Sequence, residues 1–306
     1  MRLVIDTDPG VDDAHALMAA LVHPQAQVEA LTTVAGNVSL AHTTANACTI
    51  LDVMAHDAPI YAGCERALVM PRREATEFHG EDGLGNANYP PSLRTVEAEH
   101  AVNALIRLAD AAPGELTLLA IGPLTNVALA TRLDPTLPEK FARLVVMGGA
   151  IRGMGNTTPA AEFNFHADPE AAAIVFEAWP MVTLLSWETT MSHPFAPPQV
   201  EALLAMTSPR ADFFRRVSAT TLAFIEKFMG AQFMLEPDLL AAAVALEPEI
   251  VTCAESHHVQ IELAGENTRG QSTVDWFDRT GCPPNAELVL ELDTDRVWEL
   301  LKAALV

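Results

Sequence analysis

The sequence predicts an α/β fold: one domain over residues 1–306, built on an open, mostly parallel sheet with helices on both faces. Two observations lead there. Short apolar runs alternate with amphipathic stretches of helical length, and apolar runs without interspersed polar residues belong to strands covered on both sides. No internal repeat, low-complexity linker or run of like charges divides the 306 residues. A chain of that length buries roughly 75% of its unfolded surface, enough to need no disulfide or metal staple.

The elements follow in order. Leu3-Val4-Ile5 is a buried strand ending at Asp6, and Ala14 to Leu21 is helical. Val28 to Val34 is the next strand, followed by a helix over about Ala41 to Met54. Leu116 to Ile121, Leu144 to Met147 and Met181 to Leu185 continue the strands; the first two stop at the turns Gly122-Pro123 and Gly148-Gly149. The segment 192–236 differs, being helix-rich with Met206, Phe213, Phe214, Phe224, Phe228, Met229, Phe233 and Met234. Such a stripe reads as core, or as a lid or subunit interface. Strands return near Val259 to Leu263 and Leu288 to Leu292, and a last helix starts near Asp295. Ligands in such sheets bind beyond the carboxyl ends of the strands, so the residues just after each run are the ones to inspect.

Half of the residues are hydrophobic and the formal charge is −22. A surface this acidic repels phosphate backbones and anionic lipid, so neither nucleic acid nor a membrane is an expected partner. Neutral ligands and divalent cations are. Cys48, Cys64, Cys253 and Cys282 are scattered, with no CxxC pair, as unpaired thiols in a reducing compartment are. The N-terminal apolar run is only three residues long, too short for a cleavable signal, and no stretch of about 18 uncharged apolar residues occurs. The expected location is the cytoplasm.

Asp6-Thr7-Asp8-Pro9-Gly10-Val11-Asp12-Asp13 places four carboxylates in eight residues at the end of the first strand. Asp12 and Asp13 fall where a helix N-terminus favours acids; Asp6 and Asp8 lie upstream. Four carboxylates this close repel unless a cation or hydrogen-bond donors neutralise them. The first lysine is Lys140, and Arg2 lies at the other end of the strand. A hard divalent cation with oxygen ligands is the economical explanation.

The stretch DTDPGVDDAHAL closely resembles the N-terminal motif of the inosine-uridine-preferring nucleoside hydrolases, and the likeness runs along nearly the whole chain. Thr33-Val34-Ala35-Gly36-Asn37 is similar to the family's strand-then-Asn motif, and His79-Gly80-Glu81-Asp82-Gly83-Leu84-Gly85 to its glycine-rich active-site loop. Ile121-Gly122-Pro123-Leu124-Thr125-Asn126 and Val146-Met147-Gly148-Gly149 match the next two strand ends. Glu162-Phe163-Asn164 and Asp168-Pro169-Glu170-Ala171-Ala172 resemble the EFN…DPEAA stretch. Taken alone, Gly80, Gly83 and Gly85 form no dinucleotide fingerprint; they let a loop bend. Asn126 reads as the support of a turn or helix start.

The resemblance implies the nucleoside hydrolase fold with its Rossmann-like core, and hydrolysis of the N-glycosidic bond of ribonucleosides to free base and ribose. Nucleoside catabolism or purine and pyrimidine salvage, and a homo-oligomer (dimer or tetramer), follow with it. It implies one Ca²⁺ held by Asp8, Asp13, Asp238 and the backbone carbonyl of Ile121, with the ribose 2′- and 3′-hydroxyls and a water completing the shell. Asp8 is then the general base for that water, and the transition state is oxocarbenium-like. Asp12, Asn37, Glu162, Asn164 and Asp238 carry over as substrate-binding groups, and Met147 as a neighbour of the sugar.

One position departs from the pattern. Many members carry a histidine immediately before the last metal-binding aspartate, where it protonates the leaving base. Here the segment reads Leu235-Glu236-Pro237-Asp238, and proline has no proton to give. His79 is the best-placed substitute; Glu81, Asp82, His166 and Glu236 are further candidates, while His15, His193, His257 and His258 read as structural. Trp179, Trp187, Trp276 and Trp298 fall in no motif of the site, so base preference is unreadable. Pro237 also leaves open a calcium-dependent nucleoside or ribose binder, or a hydrolase of a non-standard ribosyl substrate. A third chemistry shares the Asp-x-Asp start: in a Mg²⁺-dependent phosphatase of the haloacid dehalogenase type, Asp6 would be the nucleophile and Asp8 the acid.

Overall fold

β1 (Arg2–Thr7) carries the apolar run Leu3-Val4-Ile5, all of it completely buried. Successive side chains of a strand face opposite sides, so Leu3 and Ile5 enter one core and Val4 the other. A strand without a polar face must be covered twice, and the computed structural model, which describes residues 1–71, 73–230 and 232–306 and only the backbone of Met229, has β1 in the interior of the sheet. α1 (Val11–Val22) leads to β2 (Gln27–Thr33), and α2 (Leu40–Met54) to β3 (Ile60–Ala62). After α3 (Thr76–His79) and α4 (Ala101–Ala111) the chain reaches the other side of β1 as β4 (Leu116–Ala120). α5 (Thr125–Leu133) and α6 (Leu137–Lys140) precede β5 (Arg143–Met147); α7 (Phe163–Ala167) and α8 (Pro169–Ala178) precede β6 (Val182–Leu185). Four helices follow, α9 (Trp187–Ser192), α10 (Pro197–Leu204), α11 (Pro209–Met229) and α12 (Pro237–Leu246). The chain ends with β7 (Val251–His257), the hairpin β8 (Val259–Ile261) and β9 (Ser272–Val274), β10 (Ala286–Leu292) and α13 (Thr294–Ala304).

The strand order is β3-β2-β1-β4-β5-β6-β10-β7, parallel throughout except where β7 runs antiparallel to β10. This is the open, mostly parallel sheet expected. The chain builds outward from β1 to one side, then returns and builds to the other from β4. Crevices for ligands open at such reversals, outside the carboxyl ends of the strands.

Three strands escaped the apolar pattern for a physical reason, the first being β3, whose three residues are too short a run to stand out. β7 reads VTCAESH and is a mostly exposed edge strand, so nothing demands apolar side chains on it. β9 is three residues long in a separate two-stranded hairpin. By contrast α12, PDLLAAAVAL, is buried on every side, as a helix apolar all round has to be. The Met/Phe-rich segment divides: Phe213, Phe214 and Met234 are core, Phe224 is half-buried, and Phe228 is 63% exposed. The side chain of Met229 lies outside the described residues. Among the described residues no helix is long and apolar enough to cross a membrane.

Candidate active site

The carboxyl ends of β1, β2, β4 and β5 deliver most of the residues singled out from the sequence. Asp8 follows β1, and its Oδ2 accepts the backbone N–H of Asn37 at 2.7 Å, from the loop after β2. Its Oδ1 is buried without a partner. Room for this carboxylate depends on two glycines. A Cβ on Gly36 would stand 2.1 Å from Asp8 Oδ2, and one on Gly122 2.5 Å from Oδ1. Asp13 is the third residue of α1 and reaches back to the N–H of Gly10 at 2.9 Å, the acidic half of a capping box. It also accepts from Thr7 Oγ1 and from Asn37 Nδ2 at 3.0 Å.

Asp12 and Asp238 complete the group. Asp238 lies in the first turn of α12, so two helix N-termini aim at one place. One oxygen from each of Asp12, Asp13 and Asp238 lies within 4.8 Å of the others. Asp8 stands beside this trio rather than in it. Asp12 Oδ1 is buried without a hydrogen bond, 3.6 Å from His79 Nδ1. That His79 nitrogen accepts the N–H of Val11 at 3.1 Å, so a neutral His79 carries its proton on Nε2. Burial holds His79 down at about 4, opposed by Asp13.

Asp6 does not join the group. Its Oδ1 accepts from Thr32 Oγ1 at 2.6 Å and Asn126 Nδ2 at 2.8 Å, and burial raises it to about 7. Asp6 is two residues from Val4 and shares its side of β1, away from the trio. Of the four carboxylates in that stretch, Asp12 and Asp13 meet Asp238 from α12, Asp8 stands beside them, and Asp6 is bonded elsewhere. Asn126 ties three strand ends together through Asp6, the Thr33 carbonyl at 3.0 Å and the Cys64 N–H at 2.9 Å, a structural role.

A second set converges from β4, β5 and α7. Asn164 Nδ2 donates to the carbonyls of Ile121 at 3.0 Å and Met147 at 3.3 Å. Glu162 caps α7, accepting N–H groups from Asn164, Phe165 and Gly149. Burial raises Glu162 to about 7, and Asp12 adds to the rise, which ties the two sets electrostatically. Glu188 carried no signal in the sequence, yet its buried carboxylate accepts the N–H groups of Ile151, Arg152 and Met154 and pins the loop leading to Glu162. Thr7 was likewise unanticipated, because a threonine inside a strand run looks like any other.

The charge balance states what the group lacks. Burial, then repulsion from Asp13, pushes Asp8 well above the usual carboxylate range; burial, then Asp12, does the same to Asp238. Asp13 is raised to about 6 by burial and Asp12, and Asp12 to about 6 by burial and Glu236. Among the described residues the forces opposing these rises are hydrogen bonds and the histidines His15 and His79, not a lysine or arginine. An all-oxygen donor set with unpartnered oxygens fits a hard divalent cation. The cavity of about 620 Å³ lined by His23, Glu247, Asp293 and Arg296 lies at the opposite end of α1 and has no part in this.

With that geometry in view, the comparisons with known proteins agree with one another. Residues 3–299 match the model of the family described as inosine-uridine preferring nucleoside hydrolase. The chain belongs to that family. The non-specific ribonucleoside hydrolase RihC of Salmonella enteritidis is 37% identical over 303 residues, covering 97% of this chain and 96% of that protein. Among solved structures, a plant nucleoside hydrolase and an inosine-guanosine nucleoside hydrolase each superpose with a TM-score of 0.92 at 32% identity, covering 99% of this chain and 98% of theirs. A purine-preferring ribonucleoside hydrolase from Gardnerella vaginalis gives 0.91 at 26% identity, covering 100% and 98%. Membership of the nucleoside hydrolases removes the phosphatase alternative, as does Asp6, which is buried and bonded away from the site where a nucleophile would have to stand.

Proposed function

We propose that this nucleoside hydrolase cuts the N-glycosidic bond of ribonucleosides at the crevice beyond β1 and β4, with Asp8 as general base and Ca²⁺ as its resident metal. The hydrolysis of ribonucleosides is the reaction of the family to which the chain belongs. The observation that carries the rest is the convergence of Asp12, Asp13 and Asp238 with Asp8 beside them, with unpartnered buried oxygens on Asp8 and Asp12 and, among the described residues, no lysine or arginine opposing their charge. Asp8, Asp13, Asp238 and the Ile121 carbonyl would hold the ion, with Asp12 close enough to the trio to join or to bind a ribose hydroxyl. When bound, calcium supplies Lewis-acid activation of a water and an anchor for vicinal hydroxyls, and its tolerance of irregular oxygen sets suits this site better than Mg²⁺.

The chain's own residues do the remainder. Asn37 holds Asp8 Oδ2 with its N–H, leaving Oδ1 free to take the proton of the attacking water. Glu162, Asn164, Asn37 and Asp12 pair with ribose hydroxyls, and Met147 packs beside the sugar. The surrounding carboxylates stabilise the positive charge that develops on the ring. His79 is the candidate for the leaving-group proton; donation from Nε2 starts from the imidazolium, so Nδ1, which accepts the Val11 N–H in the neutral ring, would first have to take a proton and turn it toward Asp12 Oδ1, 3.6 Å away. A covering role for the helix-rich segment is supported by α11, whose Thr221 Oγ1 donates to the Phe78 carbonyl and Thr220 Oγ1 to the Gly85 carbonyl, joining it to the glycine-rich loop. A homo-oligomer in the cytoplasm belongs to the same proposal: the unpaired cysteines suit a reducing compartment, and the exposed Phe228 of the Met/Phe-rich segment suits a subunit interface.

Asp8→Ala and Asp238→Ala test the assignment. Each is expected to abolish ribose release and to remove calcium binding measured by titration calorimetry. Near-native turnover in either variant would contradict it.

A further inference from the structure

His15 lies one helical turn after Asp12 on α1, and Glu236 immediately precedes α12, two residues before Asp238. They are 1% and 2% exposed. His15 Nδ1 sits 3.0 and 2.9 Å from the two oxygens of Glu236. His15 Nε2 is 3.1 Å from Ser218 Oγ on α11, and that hydroxyl donates to the Phe214 carbonyl at 2.6 Å. A hydroxyl has one proton. With that proton directed to Phe214, Ser218 accepts from Nε2, while Nδ1 donates to the carboxylate. The Phe214 ring packs on the imidazole with centroids 4.7 Å apart. Three helices therefore meet at one buried, fully partnered side chain.

The position of this contact is what gives it meaning. Asp12 and Asp13 on α1 repel Asp238 on α12, and the His15–Glu236 attraction acts across the same gap in the opposite sense. We propose that His15 and Glu236 are positioning residues: they set the spacing of the first turns of α1 and α12, and hence of the three carboxylates, while Ser218 registers α11 against them. The inference rests on those carboxylates being the calcium site. Groups one shell removed from a metal hold its ligands in place, and their loss lowers affinity by about 10- to 100-fold.

The test is calorimetric titration of Ca²⁺ into chelator-stripped full-length protein, paired with melting of the same metal-free samples. Glu236→Gln keeps the shape and is expected to weaken calcium binding about 10-fold or more. The double variant His15→Leu/Glu236→Leu replaces the buried pair by apolar groups, which leaves no unpaired charge and preserves the fold. Positioning predicts a wild-type melting temperature with calcium affinity still reduced about 10- to 100-fold. Affinity recovering with the fold in the double variant, or staying within about twofold of wild type in Glu236→Gln, would overturn the proposal. If the double variant does not fold, Glu236→Gln decides alone. Asp238→Asn separates the two levels. Lost binding there with unchanged binding in Glu236→Gln sinks only the positioning role; unchanged binding in Asp238→Asn sinks the site and this inference with it.

Discussion

At the scale of single residues, Pro237 stands where the family resemblance implies a proton-donating histidine. Pro237 occupies the first turn of α12, where a missing N–H leaves no bond unmade and the fixed φ suits the helix. It therefore contributes to the fold while contributing no proton. Replacement by histidine costs little backbone order and puts an acid next to Asp238. Pro237→His is expected to raise kcat on ordinary ribonucleosides by up to about 100-fold if the leaving-group proton is what limits them; an unchanged kcat with an intact fold would locate the limit elsewhere. Gly36 makes a second prediction. Its Cβ would stand 2.1 Å from Asp8 Oδ2, so Gly36→Ala must displace the proposed base. A displacement near 1 Å costs about 100-fold in turnover, and steady-state kinetics with near-wild-type activity would contradict the placement of Asp8.

At the scale of elements, α1 and α12 lie side by side and are joined at both ends. Their N-terminal turns share the carboxylates; their C-terminal ends meet where Glu247 accepts from His23 Nε2 at 3.1 Å and from Nε and Nη2 of Arg296 on α13. The Arg296 hydrogen bonds, helped by His23, hold Glu247 at about 2, below its ordinary 4.5. A depressed carboxyl stabilises the fold above its unfolded value and loses that contribution as pH falls through the folded one. Glu247→Gln is accordingly expected to lower Tm by about 1–2 °C at neutral pH, on the order of 1 kcal/mol for a chain this size. The gap should close between pH 4.5 and 2; a gap independent of pH would show that Glu247 acts through shape alone. The buried strand β1 was legible from sequence, because burial on both faces leaves little freedom in composition; α12 was not, since a helix apolar all round shows no amphipathic stripe to mark it. Nor was β7, since an exposed edge strand imposes no apolar requirement. The acidic stretch was legible as chemistry but not as geometry: the side from which Asp6 is bonded follows from Thr32 and Asn126, 26 and 120 residues away. Pairings such as His15 with Glu236 span 221 residues and leave no local mark.

At the scale of the whole molecule, the strand order reverses between β1 and β4, and Asp8, Asn37, Ile121, Met147, Glu162 and Asn164 all lie around the crevice that this reversal opens. The net charge of −22 extends the same theme outward, repelling phosphorylated ligands and drawing divalent cations toward a neutral nucleoside's site. The most direct measurement is free-ribose release from a panel of purine and pyrimidine ribonucleosides by the native protein, after chelation, and after re-addition of Ca²⁺ or Mg²⁺. The account predicts release from at least one ribonucleoside, abolished by the chelator and restored by Ca²⁺ in preference to Mg²⁺. Release that survives complete metal removal, or no release from any ribonucleoside, would contradict it.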